Sequence, residues 1–242
     1  MNNSPSNGYV SPFQKNNNKN NAPNITSKIN NINAYSDVTV EIHKSMKGYT
    51  YYELVGMNSN HFEKFDFSVA NDTLVVDFRT KQTNTAQIIK NTTTYSNCVI
   101  INNQVISNTG SSNGKVIIYV HTVFLDQVKF NTVSGNFKMS IPSNSVTINS
   151  TSGDVAVGEV YLASSINTVS GNIFLGVNAK NKINVNLNSV SGNISLKLVN
   201  VKSLTGKAST ISGKYINTLT TNGIYEAYIK VTSVSGNITL SS

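Results

Sequence analysis

The chain has 242 residues but only one cysteine and no tryptophan, and Arg79 is its only arginine. Because Cys98 stands alone, no internal disulfide can form, and its apolar neighbours predict an inert thiol within a β-strand. Nucleic-acid sites usually combine arginine with lysine and stacking aromatics, which a chain with one arginine does not offer. We therefore expect neither a disulfide scaffold nor a specific nucleic-acid binder.

Acidic residues are also scarce, with 11 against 19 basic residues. Residues 1–36 hold three lysines and no acid, residues 37–128 are close to neutral, and residues 129–242 hold nine lysines and three acids. The lysines are scattered along the sequence, which indicates a solvated basic surface. One alternative stays open, because Lys207 and Lys230 occupy the same position in neighbouring repeats and could together bind a polyanion.

Long hydrophobic runs are missing as well. No stretch approaches the ~20 apolar residues that a membrane helix needs. The first residues, "MNNSPSNGYV", lack the apolar centre of a signal peptide. From these features we expect a cytoplasmic protein, with a location at the cell surface not excluded.

Asn, Ser and Thr are abundant, and because they are mediocre helix formers we expect almost no helix. Residues 1–34 are Asn-rich and proline-containing, and they predict a disordered tail, because too little apolar surface is present to offset the entropy of ordering it. Residues 35–128 alternate apolar and polar side chains in short runs, which indicates a β-rich region with the first, irregular rungs of a larger structure. Residues 129–242 contain a regular repeat.

The repeat is the phrase "TVSGN" at 132–136, which returns in close copies five more times. Its Ser-Gly pairs begin at residues 134, 152, 170, 191, 212 and 235, a period near 20 residues. A fixed period of this length is typical of solenoids, in which each repeat forms one rung. We predict a single-stranded parallel β-solenoid (β-helix) with about six to nine short rungs.

Alignment of the repeats on the serine predicts which residues stack. Apolar residues recur four positions before the serine, directly before it, and three and five positions after it, as a continuous core requires. Apolar residues alternate with polar ones both before and after the phrase, but the alternation after it does not continue the one before it. The chain must therefore turn within the repeated phrase. We assign a structural corner with a permissive backbone to the glycines Gly135, Gly153, Gly171, Gly192, Gly213 and Gly236.

A polar column lies two positions before the serine. Rungs of a β-solenoid are ~4.8 Å apart, so identical hydroxyls can face one another along such a column. Two interpretations stay open: a column that satisfies backbone groups at the corner, or an exposed face that binds a glycan or another repetitive polymer. The residues of this possible ladder face are Thr132, Ser150, Thr168, Ser189, Thr210 and Ser233.

These repeats resemble a known family. Corners of Ser-Gly followed by Asn or an acid and an aliphatic residue, preceded by the strand pair "KVIIYV…VKFNTVSGNF" (115–137), are similar to the bacterial putative-adhesin family of β-strand repeats. The resemblance covers residues 70–242 and implies a β-solenoid. The family is a domain of unknown function related to head domains of autotransporter adhesins, so no activity is implied. The family often carries Asp after the glycine, whereas this chain mostly carries Asn.

Catalysis is not expected. Solenoid enzymes that cleave polysaccharides need paired carboxylates or acids clustered around Ca²⁺. The repeats contain only Asp154, Glu159 and Glu226, and the first and last of these lie several rungs apart. The three histidines follow no metal-ligand spacing. We therefore assign no catalytic, cofactor-binding or metal-binding residues and expect no cofactor.

The predicted function is that of a non-catalytic, adhesin-like interaction or structural module. The alternative is glycan or polymer binding through a flat Ser/Thr/Asn ladder face. Because the last repeat runs to the end of the sequence, we also expect an open β-edge at the C-terminus. Such an edge would support self-association or addition of a partner strand.

Overall fold

The computed structural model describes residues 23–57, 62–80 and 114–242, together with the backbone of three short strands between 92 and 107. The described residues form strands, turns and bends and contain no helix, which confirms the all-β prediction. Residues 1–22, the larger part of the predicted tail, and the side chain of Cys98 lie outside the described residues.

The strands are numbered in chain order. The first half of the chain contains β1 (Asn31–Ser36), β2 (Thr39–Lys44), β3 (Tyr51–Val55), β4 (Phe62–Ala70), β5 (Thr73–Thr80), β6 (Thr92–Tyr95), β7 (Cys98–Ile101), β8 (Gln104–Ser107) and β9 (Lys115–Val120). The second half contains β10 (Leu125–Thr132), β11 (Phe137–Met139), β12 (Ser143–Ser150), β13 (Val155–Thr168), β14 (Ile173–Asn178), β15 (Ile183–Ser189), β16 (Ile194–Val199), β17 (Val201–Thr210), β18 (Tyr215–Asn217), β19 (Tyr225–Ser233) and β20 (Ile238–Ser241). Strands β6 to β8 form a separate antiparallel sheet.

The remaining strands lie in two ladders that meet at the corner. Ladder A, which precedes the corner, runs in the spatial order β4, β5, β1, β10, β12, the second half of β13, β15, β19 and β17. Ladder B, which follows the corner, runs in the order β3, β9, β2, β11, the first half of β13, β14, β16, β20 and β18. Within these ladders, all pairings are parallel except β4 with β5 and β3 with β9. In β1–β2 and in every rung from β10 to β20, one strand of ladder A is joined by a corner to one strand of ladder B.

The core lies between the two ladders. Side chains alternate inward and outward along each strand, as the pleat requires. Equivalent residues stack in register: Phe130 pairs with Ile148, which pairs with Ile166, and all three are fully buried. The Phe130 and Phe137 rings, whose centroids are 4.5 Å apart, join the two ladders across the core.

The order of the rungs in space differs from their order along the chain. The rung β1–β2 lies between the rung of β5 and β9 and the rung β10–β11. The last rung in the sequence, β19–β20, lies between β15–β16 and β17–β18. Both ends of the described chain are therefore paired on two sides.

This arrangement corrects two predictions. The tail was predicted to extend to residue 34, but Ile29, Ile32 and Ala34 are buried in the core, and β1 begins at Asn31. The open edge was predicted at the C-terminal strand, but β20 pairs with β16 on one side and with β18 on the other. At this end of the stack, the strands that pair on one side only, among those described, are β17 and β18.

The six glycines lie in one column at the corner. A Cβ on Gly153 would lie 1.9 Å from the carbonyl oxygen of Gly135, and a Cβ on Gly171 would lie 2.0 Å from that of Gly153. The same close approach continues through Gly192, Gly236 and Gly213, in the spatial order of the rungs. Glycine is required because the backbones of successive corners lie too close together for any side chain.

We expect Gly171→Ala to lower the free energy of unfolding by about 1–3 kcal/mol, because the clashing atom belongs to backbone that is fixed in the ladders. The matched control is Gly48→Ala, since a Cβ there meets no atom within 4 Å; its effect should stay within about 0.5 kcal/mol. Urea denaturation followed by circular dichroism measures both. Equal losses in the two variants would contradict the assignment.

Candidate functional site

The Ser/Thr column that was predicted as a possible binding face points into the corner. Thr132, Ser150, Thr168, Ser189 and Ser233 are only 4–8% exposed, and Thr210 in the end rung is half-buried. Each hydroxyl accepts a hydrogen bond from the N–H of the glycine three residues later, at 2.7–3.1 Å. The structure therefore places the column where it satisfies backbone donors and where an external ligand does not reach it.

The apolar position directly before the motif serine was predicted in the core and lies instead on the surface. Its residues are Val133, Thr151, Val169, Val190, Val234 and Ile211, and all six are exposed. The reason is parity: the hydroxyl column takes the inward position at the corner, so the next residue must point outward. The result is an exposed stripe of side chains, aliphatic except for Thr151, which follows the stacking direction and is called here the corner stripe.

The motif serine itself connects neighbouring rungs. The Oγ of Ser152 donates to the carbonyl oxygen of Val133 at 3.1 Å, and the Oγ of Ser191 donates to that of Val169 at 3.3 Å. Equivalent bonds are made by the other four motif serines. The motif serine therefore joins neighbouring rungs through a side-chain to backbone hydrogen bond.

Two columns of amides border the corner stripe on the outer surface. In ladder A, Asn149 Nδ2 donates to Asn131 Oδ1 and Asn167 Nδ2 donates to Asn149 Oδ1, each at 3.0 Å. In ladder B, the side-chain oxygen of the residue after the glycine accepts a hydrogen bond from the backbone N–H of the equivalent residue on the next rung, in every rung but the last. These bonds, of 2.7–3.0 Å, link Asn136, Asp154, Asn172, Asn193, Asn237 and Lys214 in that order.

The end of this second column marks the end of the stack. The backbone N–H of Lys214 donates to Asn237 Oδ1 on the neighbouring rung, but the Lys214 side chain has no acceptor oxygen to offer to another rung. In the same rung, Ala208 and Asn217 stand opposite Val231 and Leu240, which are fully buried. Ala208 and Asn217 depart from the large apolar residues of their columns, and this departure is the feature of the sequence that indicates a terminal rung.

The uncovered rung β17–β18 is the candidate functional site. Among the described strands, β17 pairs only with β19 and β18 only with β20. Tyr215 occupies the same column as the fully buried Ile238 and is 46% exposed, while Ile211 at the corner is 81% exposed. Leu204 and Ala208 are half-buried at the rim of the core. This end therefore offers unpaired backbone groups beside apolar side chains.

The opposite end of the stack is closed differently. The antiparallel strands β3 and β4 cover it, and Tyr52 contacts Phe65 and Phe67 at centroid distances of 5.1 and 4.8 Å. The surface of this end is acidic, with Glu53, Glu63, Asp66 and Asp72. We call β3 and β4 the capped end and β17 and β18 the open end.

An ion cluster lies on the outer face of ladder A near the capped end. Asp77 is bound by Arg79, with nitrogen–oxygen distances of 2.8 and 2.9 Å, and by Lys64. Partial burial opposes ionisation of Asp77, but the hydrogen bonds from Arg79 and Lys64 outweigh it and lower the pKa of the carboxyl group. Lys64 is therefore paired, and it does not neutralise the other acids of the capped end.

Four other acids have polar partners within the fold. Asp154 accepts from the backbone N–H of Asn172 at 2.7 Å, Glu159 accepts from Asn178 Nδ2 at 2.7 Å, and Glu226 lies 3.7 Å from Lys182. Burial disfavours the charged form of Glu41, but hydrogen bonds from Lys115 and His43 lower its pKa on balance. In the described part of the chain, no three acidic, histidine or cysteine side chains are grouped so that they could hold a metal ion.

We expect Thr168→Val to cost about 1–3 kcal/mol of unfolding free energy, because it leaves the buried N–H of Gly171 without its acceptor while keeping the side-chain volume. Thr147→Val is the matched control, since Thr147 is partly exposed on the outer face of β12. Thermal and urea unfolding compare the two variants. If Thr168→Val is as stable as the control, the hydroxyl column does not support the corner.

The described residues include no helix with the length and apolarity that crossing a membrane requires. No curated protein sequence matches the chain. Among solved structures, the chain is similar to the crystal structure of a putative cell adhesion protein from Clostridium sporogenes, with 8% identity, a TM-score of 0.49, and coverage of 91% of this chain and 97% of that chain.

The family model described as Toastrack DUF4097, a domain of unknown function, matches residues 29–242. The match begins well before residue 70, where the resemblance was placed from the sequence, and it includes β1 and β2, which form a rung of the stack. The predicted relation to a β-repeat domain of unknown function is confirmed, and the chain belongs to the Toastrack DUF4097 family.

Proposed function

We propose that the protein is a non-catalytic, adhesin-like interaction module that binds a partner by β-strand addition at the open end. The observation that carries this proposal is the exposure of core positions in β17 and β18. Tyr215 and Ala208 lie in columns that are buried in the rungs before them. A partner strand would cover these residues and complete the unpaired backbone edge.

Strand addition suits the chemistry of this end. Main-chain hydrogen bonds along an exposed edge supply affinity, and the alternate side chains of the added strand supply specificity. The ten residues of β17 offer an edge longer than a typical strand. Half-buried Leu204 and Ala208 provide an apolar rim against which inward side chains of the partner would pack.

The arrangement of the acids supports a non-catalytic role. Hydrolysis of a glycosidic bond needs two carboxyl groups about 5–10 Å apart with room for a substrate between them. Asp154 and Glu159 are each occupied by an asparagine of a neighbouring strand, and Glu226 belongs to a different rung. These three acids therefore do not form the carboxyl pair that glycosidic hydrolysis needs, which supports a binding role for the outer surface of the repeats.

The test uses a labelled peptide with the sequence of β19, residues 225–233, which is the natural neighbour of β17. We expect it to bind the full-length protein in fluorescence anisotropy and expect Ala208→Lys to raise the Kd at least about tenfold. A lysine at this position can extend past the uncovered rim into solvent, so the variant should fold while its charge obstructs the added strand.

Gln127→Lys is the matched control. It adds the same charge to an exposed outward position of β10, in the middle of ladder A, and should leave peptide binding unchanged. A scrambled peptide of the same composition controls for nonspecific attraction. Binding that is equal in Ala208→Lys and Gln127→Lys, or no binding by the wild type, would exclude strand addition at the open end.

A second candidate function is binding of a repetitive polysaccharide along the corner stripe. The observation that favours it is the pattern of the outer surface, where exposed Val133, Val169 and Val190 lie between the two amide columns. Apolar side chains can contact the C–H faces of sugar rings while amides bind hydroxyls at one fixed spacing. This surface differs from the predicted one, because the Ser/Thr column is buried.

We expect this second function, if present, to be abolished by Val169→Lys combined with Val190→Lys, which places two charges in the centre of the stripe. Both valines are about half exposed, so the substitutions should not disturb the core. Co-sedimentation with insoluble cellulose, chitin and peptidoglycan measures binding. Retained binding in the double variant, at unchanged thermal stability, would exclude the corner stripe as the site.

A further inference from the structure

We infer that the partner of the open end is the capped end of a second copy, so that the protein assembles head to tail. This inference rests on the proposed strand addition and identifies the strands that are added to the open end. The open end would place β17 against β4, and β18 against β3, of the next molecule. Successive copies would continue the two ladders in the same direction.

The charges of the two ends are complementary. Residues 201–217 of the open end contain Lys202, Lys207 and Lys214 and no acid. The described residues of the capped end between 51 and 72 contain four acids and Lys64, which is already paired with Asp77. Opposite potentials favour the encounter of these two surfaces and fix its orientation.

The same lysines disfavour a symmetric dimer in which two open ends meet. Two open ends that met each other would bring six lysines together, and like charges across an interface disfavour association. Lysine is also a residue that natural edge strands use to prevent edge-to-edge pairing. The charge of the open end therefore disfavours pairing with a second open end and favours pairing with the acidic capped end.

The geometry of the edges agrees with the charges. Strands β4 and β17 are the two outermost strands of ladder A, and β3 and β18 are the two outermost strands of ladder B. Translation along the stacking axis therefore brings both edges of one end over both edges of the other. The lengths of β4 and β17, nine and ten residues, also match.

The corner explains why antiparallel capping strands fit better than another rung. A further parallel rung would need an acceptor oxygen after the last glycine, and Lys214 does not provide one. The strands β3 and β4 are not joined by a Ser-Gly corner and do not need that acceptor. Partly buried Tyr52, Phe65 and Phe67 at the capped end can contact Leu204, Ala208 and Tyr215 at the open end.

A contact between two different surfaces of the same protein leaves one free surface of each kind. Such heterologous contacts produce rings where the rotation closes and filaments where it does not. We expect concentration-dependent oligomers of the full-length protein that dissociate at high salt, because salt screens the charges that orient the ends.

The test is a charge exchange in two variants of the full-length protein. One carries Lys202→Glu, Lys207→Glu and Lys214→Glu, so that both of its ends are acidic. The other carries Glu53→Lys, Glu63→Lys and Asp66→Lys, so that both of its ends are basic. We expect association in sedimentation velocity to weaken at least about tenfold in each variant alone. An equimolar mixture should recover it to within about threefold of the wild type.

Three outcomes would overturn the inference. The wild type could remain monomeric at all concentrations, the exchange at the capped end could leave association unchanged, or the mixture could fail to recover it. Circular dichroism and thermal unfolding establish that both variants fold. Binding of the 225–233 peptide to the capped-end variant, whose open end is intact, separates the two proposals. If that binding persists while self-association is absent, strand addition stands and only the second copy is excluded.

Discussion

The close approach of successive corners is the constraint on which the rest of the structure depends. At each corner the backbone of one glycine nearly touches the carbonyl oxygen of the glycine below it, so the ladders on both sides are locked into a single register. A buried hydroxyl satisfies the glycine N–H within the rung, an exposed serine binds the rung below, and an amide oxygen binds the rung above. The hydroxyl residue, the serine, the glycine and the amide of the repeated phrase thus each have a separate structural role at the corner.

The register of the corner also permits an order of rungs that is not the order of the chain. The rung β1–β2 lies between β5 and β10, and the rung β19–β20, whose corner makes the same hydrogen bonds as the corners before it, lies between β15 and β17. The described ends of the chain are held inside the stack, where both of their edges are paired. Separation of β1 or β19 from the stack would break the strand pairings on both of its edges.

The two ends of the stack are unlike in shape and in charge, and this difference gives the molecule a direction. At one end, an aromatic cluster around Tyr52 and two antiparallel strands cover the core beneath an acidic surface. At the other, a basic rung leaves Tyr215 and the rim of the core uncovered. A stack of identical rungs would carry the same side chains at both ends, so the residues that depart from the repeat are the ones that make the two ends different.

The sequence by itself determined the β class, the period of the repeat and the glycine corner, because these follow from local spacing and from the small size of glycine. It also placed Phe130, Ile148 and Ile166 in one column, since alternation along a strand is a local property. It did not determine which side of the corner faces inward: for Thr168 a column at the corner backbone and an exposed binding face both stayed open, and Val169 was predicted in the core but is exposed. Only the tertiary structure decided this orientation, the position of the last rung in the sequence and the location of the open end. These depend on pairing between strands that are far apart along the chain, which the local spacing of residues does not specify.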